Sequence, residues 1–174
     1  MKQVILGLDV STSRVGITIL DSNTSLIDCQ VIKLNSKDKL EDRCYQIERY
    51  LQVNYNKYHI EEIFIEAPFI MFSGGKTTAM TMAKLQRFNG MVCWMVRNLY
   101  GICAVSIAAN KARGLVGLKI KRGEKTKLKA IEWVQKEYPK DFIVEYTRYG
   151  NPKPGTDDKA DSIIIARAGL LIEK

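Results

Sequence analysis

An α/β fold built on a mixed five-stranded sheet, with helices on both faces, is what this sequence predicts. Three observations lead there. The chain opens with apolar runs separated by short polar turns, it goes on to alternate apolar runs with helically spaced ones, and it is composed like a globular protein. Of 174 residues, 46% are hydrophobic and 26% charged, enough to bury one sizeable core without a disulfide or metal staple. Residues 1–174 therefore read as a single domain.

The elements follow in order. Gln3 to Asp9 reads as a buried strand whose apolar residues run on without alternation. Ser11 to Arg14 is a polar turn, Val15 to Leu20 a second strand, and a third runs from about Leu26 to Leu34, which makes an antiparallel meander. Leu40, Cys44, Ile47 and Leu51 recur at helical spacing and predict a helix from about Asp38 to Tyr55. Glu62 to Glu66 is a short buried strand, and a loop with Pro68, Gly74 and Gly75 leads to a long helix from about Thr77 to Leu99. Cys103 to Ile107 supplies the fifth strand, and the remainder reads as helical apart from Gly- and Pro-containing loops. Strand-helix-strand connections demand parallel pairing, so the sheet is mixed.

Several function classes drop out. No apolar stretch approaches the ~20 residues that span a bilayer, and Asp9 breaks the first apolar run, so no secretory signal is expected. The cysteines, Cys29, Cys44, Cys93 and Cys103, form no CxxC pair, and His59 is the one histidine. Structural zinc patterns and His-based nucleophilic triads are therefore excluded, and buried free thiols in a reducing cytoplasm are expected. Chemistry must run on carboxylates, lysines, hydroxyls or a metal held by oxygen.

The net charge of +8 is uneven. Lys111, Arg113, Lys119, Lys121, Arg122, Lys125, Lys127 and Lys129 fall in one segment, opposed there by Glu124 alone. Such a patch attracts polyanions with strongly salt-dependent affinity. Gly114, Gly117 and Gly123 interrupt it, which suggests a mobile loop leading into a helix. A nucleic acid is favoured over a membrane surface, because no apolar helical face accompanies the charge.

Asp9 and Glu66 each place an acid at the end of an apolar strand, where an ionised carboxylate needs a cation or strong donors. Asp158 and Asp161 are three apart and share a helical face, with Thr156 the expected N-cap and Ile163 to Ile165 packing on the sheet. Taken singly, Asp157 and Asp158 read as ordinary complements to a helix dipole. Four converging acids would repel one another unless divalent cations sat among them. Hard oxygen ligands suit Mg²⁺, with Mn²⁺ able to substitute, and a pair of such ions suits phosphoryl displacement.

The segments LGLDVSTSRVGITIL, the EAPF from Glu66 and DDKADSIIIARAGL resemble the RuvC family of Holliday junction resolvases, within the RNase H-like superfamily. The resemblance spans nearly the whole chain. It implies an RNase H-like fold, a homodimer and Mg²⁺-dependent, paired symmetric nicking of four-way DNA junctions. Asp9, Glu66, Asp158 and Asp161 match the family's metal-binding acids, with Asp157 a substitute for Asp158. Lys125 matches a catalytic lysine, and a second family lysine corresponds to Lys111 or to Arg113. Lys119, Lys121, Arg122 and Lys127 complete the expected DNA contacts, and Phe69 is an aromatic placed to stack on a base at the branch point. Phe72 reads as a loop anchor.

Asp9-Val10-Ser11 stands where bacterial members have Asp-Pro-Gly, a departure that resembles diverged viral, especially phage, members acting in a host cytoplasm. Junction selectivity stays open. A broader nuclease of forks, flaps or hybrids would use the same metal site. The long helix carries Met80, Leu85, Phe88, Met91, Val92, Met95 and Leu99, more apolar surface than one sheet face covers, so part of it is expected to form a dimer seam. DVSTSRVGI also resembles the phosphate loop of actin-like ATPases and sugar kinases, but those need two such domains and give Asp158 and Asp161 no role.

Overall fold

The computed structural model describes residues 2–68 and 78–172. Five strands, β1 (Lys2–Val10), β2 (Arg14–Asp21), β3 (Leu26–Lys33), β4 (Tyr58–Glu66) and β5 (Val105–Ile107), form one sheet in the order β3-β2-β1-β4-β5. The β1–β2 and β2–β3 pairs are antiparallel, whereas β1–β4 and β4–β5 are parallel, so the sheet is mixed as expected. Helix α1 (Leu40–Tyr55) links β3 to β4 and α2 (Ala79–Tyr100) links β4 to β5. Then come α3 (Ala109–Leu115), α4 (Thr126–Glu137) and α5 (Thr156–Gly169).

Side-chain alternation sorts the core into two layers. Val4, Leu6 and Leu8 of β1, with Val15, Ile17 and Ile19 of β2, pack against α1 and α2. Ile5 and Leu20 point the other way, where they join Phe64, Ile107 and the apolar faces of α4 and α5. Helices thus cover both faces. Ile163, Ile164 and Ile165 of α5 are all fully or almost fully buried, each contributing roughly 1.5–3 kcal/mol over an exposed position.

Three details differ from the sequence reading. Strand β4 begins at Tyr58, because Tyr58 and His59 pair with Lys2 and Gln3 beyond the apolar run. Residues 138–155, which hold three prolines and two glycines, form one long non-helical connection with an isolated bridge between Tyr146 and Pro152, longer than the loops the sequence marks out. Cys103 is exposed, while Cys44 is buried and Cys29 and Cys93 are half-buried; all four are free thiols. No helix among the described residues is long and apolar enough to cross a membrane.

Candidate active site

The same alternation that builds the core sets the chemistry. Ile5, Gly7 and Asp9 lie on the α5 face of β1, and Phe64 and Glu66 on the same face of β4. Leu8 is paired with Ile65, so each acid is the next residue along its strand and the two end neighbouring parallel strands. Carboxyl ends of neighbouring parallel strands form a crevice in which α/β proteins habitually place ligands.

Helix α5 brings the remaining acids by lying unusually close to the sheet. A Cβ on Gly7 would come within 2.6 Å of Ala166 Cβ and the Ser162 carbonyl, and one on Gly16 within 2.0 Å of the Asp158 carbonyl. On the helix side, a Cβ on Gly169 would strike the Phe64 ring at 2.2 Å. Gly16 is the cross-strand partner of Asp9, so the contact that seats the Asp158 backbone also fixes it beside Asp9. The buried hydroxyls of Thr18 and Ser162 share a 2.7 Å hydrogen bond below this point. The N-cap is Gly155, not Thr156; its backbone is left-handed (φ 97°), and Thr156 instead donates its hydroxyl to the Lys153 carbonyl.

Burial, then repulsion from Glu66, Asp161 and Asp158, raises the Asp9 carboxyl well above its ordinary value. Burial and the charge of Asp161 push Glu66 up to about 7, against the opposing pull of Arg113. Asp161 is pushed up to about 6 by burial, again with Arg113 opposing. Asp158 is raised by burial and by Asp157, and its Oδ2 is buried without a hydrogen-bond partner, the Arg14 guanidinium standing 3.9 Å away. Burial acts on Asp157 in the same upward direction, but its hydrogen bond and ion pair with Lys127 hold it below the usual carboxylate range.

Glu66, Asp158 and Asp161 raise Asp9, Asp158 also raises Glu66 and Asp161, and one oxygen is buried and orphaned, so the donor set is short of positive charge. All-oxygen donors of this kind fit a hard divalent cation. Among the described residues no three His, Cys, Asp or Glu side chains are gathered closely enough to hold a metal ion as they stand.

Solved structures share this fold. T. thermophilus RuvC in complex with Holliday junction substrate matches over 97% of this chain and 93% of that one, with a TM-score of 0.66 and 13% identity. The yeast mitochondrial Holliday junction resolvase matches over 96% and 77%, at TM-score 0.57 and 15% identity. The fold is that of the RuvC-type resolvases. The fowlpox virus resolvase, solved with substrate Holliday junction DNA, matches over 96% of both chains at TM-score 0.52 and 16% identity. No protein-family model matches the chain, and no curated protein does.

Within this RuvC-type frame the expected residues divide. Asp9, Glu66, Asp158 and Asp161 are brought together, and Asp157 stands beside them, engaged by Lys127. Lys111, Lys119, Lys121, Arg122 and Lys125 are exposed along α3, the connection after it and the N-cap of α4. Two of the basic residues expected to contact DNA also act on the acids. Arg113 is half-buried, and its charge acts on Glu66 and Asp161. Lys127, in the first turn of α4, is hydrogen-bonded to Asp157 and feels Asp158 and Asp161. Phe69 and Phe72 lie outside the described residues.

Two positioning residues escaped the sequence reading. Asn89, buried on α2, donates its amide to the Glu66 carbonyl at 3.0 Å and so ties the strand end to the helix. Arg43, buried on α1, donates to the carbonyls of Thr12, Ser36 and Asp38, fixing the turn that follows Asp9. A polar residue recurring inside the apolar stripe of each helix is the signal that could have found them.

Proposed function

We propose that this chain is a metal-dependent endonuclease of branched DNA that resolves four-way junctions by paired, symmetric nicks, acting as a homodimer. The observation that carries the reading is the placement of Asp9, Glu66, Asp158 and Asp161 at one crevice, where the last three raise the proton affinity of Asp9. The Holliday junction named in the T. thermophilus and fowlpox structures supports the choice of substrate.

Asp9, Glu66, Asp158 and Asp161 would hold Mg²⁺, or Mn²⁺ in its place. When bound, such ions supply water activation and charge neutralisation at a phosphate. The chain's own residues do the rest. The exposed lysines and Arg122 between α3 and α4 draw in the DNA backbone and orient it, since phosphate contacts position without reading sequence. Lys127 puts a fixed positive charge at the edge of the acid cluster, suited to stabilise charge developing on the scissile phosphate. Lys125, at the N-cap two residues earlier, is the residue that the resemblance assigns to this role. Arg113 and Arg14 temper the repulsion among the acids before metal arrives.

The test presents one labelled strand as a four-way junction, a fork, an RNA–DNA hybrid and a linear duplex, with Mg²⁺. The Asp158→Asn protein runs alongside to exclude contaminating nuclease. Paired symmetric nicks confined to the junction are expected. Equal cutting of forks would make this a general debranching nuclease, and no cutting of any substrate would remove the catalytic assignment.

A further inference from the structure

The connection between α4 and α5 carries a feature that the acid cluster and the basic segment leave unused. Phe142 and Val144 are buried, while Ile143, Tyr146 and Tyr149 are 80%, 53% and 73% exposed. These exposed rings sit on an ordered backbone. Tyr146 bridges to Pro152, the Thr147 amide donates to the Asn151 carbonyl at 2.8 Å, and the Lys153 amide donates to the Glu145 carbonyl at 2.9 Å. Gly150, left-handed at φ 77°, closes the turn. Lys153 pairs with Glu145 across the base, and the Arg148 guanidinium lies 4.6 Å from the Tyr149 ring centroid.

This hairpin is tied directly to the helix of the candidate site. The Thr156 amide and hydroxyl both donate to the Lys153 carbonyl, and Gly155 packs against Val31 of edge strand β3. The basic segment reaches the acids from α4, through Lys127, so the hairpin enters α5 from a different neighbour. The hairpin thus leads directly into the helix that carries Asp158 and Asp161.

We propose that Tyr146, Arg148 and Tyr149 form a second DNA contact, in which the tyrosine rings stack on bases of the arm beside the cut and Arg148 takes a phosphate. Two aromatic faces held in water by a hydrogen-bonded backbone, with a guanidinium between them in sequence, have the chemistry of a nucleobase platform. The inference rests on the nuclease reading for its substrate and concerns residues outside the metal site.

The test is equilibrium binding of a fluorescently labelled four-way junction, without divalent ions, so that it does not depend on cleavage. Replacing either tyrosine (Tyr146→Ala or Tyr149→Ala) is expected to weaken binding about 5- to 150-fold, the loss that one unstacked base gives. The corresponding Phe replacements keep the ring and should bind within about twofold of the parent chain. Arg148→Ala should lower the salt slope by about one phosphate contact. Melting temperatures should not move, since the rings touch little of the core. Alanine variants that bind like the parent would overturn the hairpin contact while leaving the nuclease reading intact. Phe variants as weak as the alanine ones would overturn stacking. A parent chain that binds no DNA would sink both readings together.

Discussion

A carboxylate buried among carboxylates is held there against its own electrostatics, and this can be measured at Asp9. Its proton affinity is raised by burial and by four neighbouring acids, and burial with two neighbouring acids raises Glu66, to about 7, and Asp161, to about 6. Without metal, the folded chain therefore holds protons that the unfolded chain has released, and these groups lose stability as pH rises from about 4 through 7. Asp9→Asn removes one charge from the cluster, so the metal-free variant should be more stable than the parent, by a margin that widens across that interval. Mg²⁺ should raise the parent's melting temperature near pH 8 and leave the variant's nearly unchanged. The variant should still bind DNA while failing to cut it. An equal Mg²⁺ shift in both proteins would show that the cation binds elsewhere. Lys127 offers a second test at this scale. Its ion pair with Asp157 is exposed and worth roughly 0–1 kcal/mol to folding, so Lys127→Ala should melt almost normally. Cleavage should fall about 100-fold, as for loss of a charge-stabilising donor. A larger loss from Lys125→Ala would return the role to Lys125.

Among the elements, α5 decides whether the acids meet at all, and it depends on glycines in strands more than on its own side chains. Gly16→Ala would drive a methyl group into the Asp158 carbonyl, which belongs to rigid helix backbone and cannot rotate aside. Relieving the clash means lifting the helix start away from β2. Overpacking of this kind costs about 1–3 kcal/mol, and a displacement near 1 Å is expected to lower cleavage about 100-fold. Measured cleavage close to the parent's would mean that the helix start is not what fixes the site. The acids themselves were legible in the sequence because Asp9 and Glu66 interrupt apolar strands and Asp158 and Asp161 share a helical face. The glycines beneath them were not, although a glycine inside a strand is a recognised sign of close backbone approach. That Lys127 stands beside the acids was not legible either, because a helix start cannot be located from sequence to within the two residues that separate it from Lys125. Asn89, Arg43 and Arg113 act through tertiary placement, which periodicity does not contain.

For the whole molecule, the remaining question is how one crevice could make two symmetric cuts. The sequence pointed to α2 for a dimer seam, and the structure divides that helix. Phe88, Val92 and Met95 are buried in the core beside α1, whereas Trp94 is 68% exposed and Met80 82% exposed. Trp94 and Met91 line a groove of about 550 Å³ with Tyr45 and Cys44 of α1, bordered by the Arg87–Glu41 ion pair. This groove belongs to the α1–α2 layer, on the opposite face of the sheet from α5, so a second copy seated there would leave both acid clusters open to DNA. Under the proposed reading a two-fold junction would be met by a two-fold protein, with the same patch used by both copies. Trp94→Glu places a charge in that patch without disturbing the core, so the chain should stay folded and sediment as a monomer. Nicking should then become unpaired, with one strand cut per encounter and the two nicks arising independently in time. A variant that remains dimeric and still cuts in pairs would move the interface off this groove. A monomeric parent would instead require a single crevice to visit the two strands in turn.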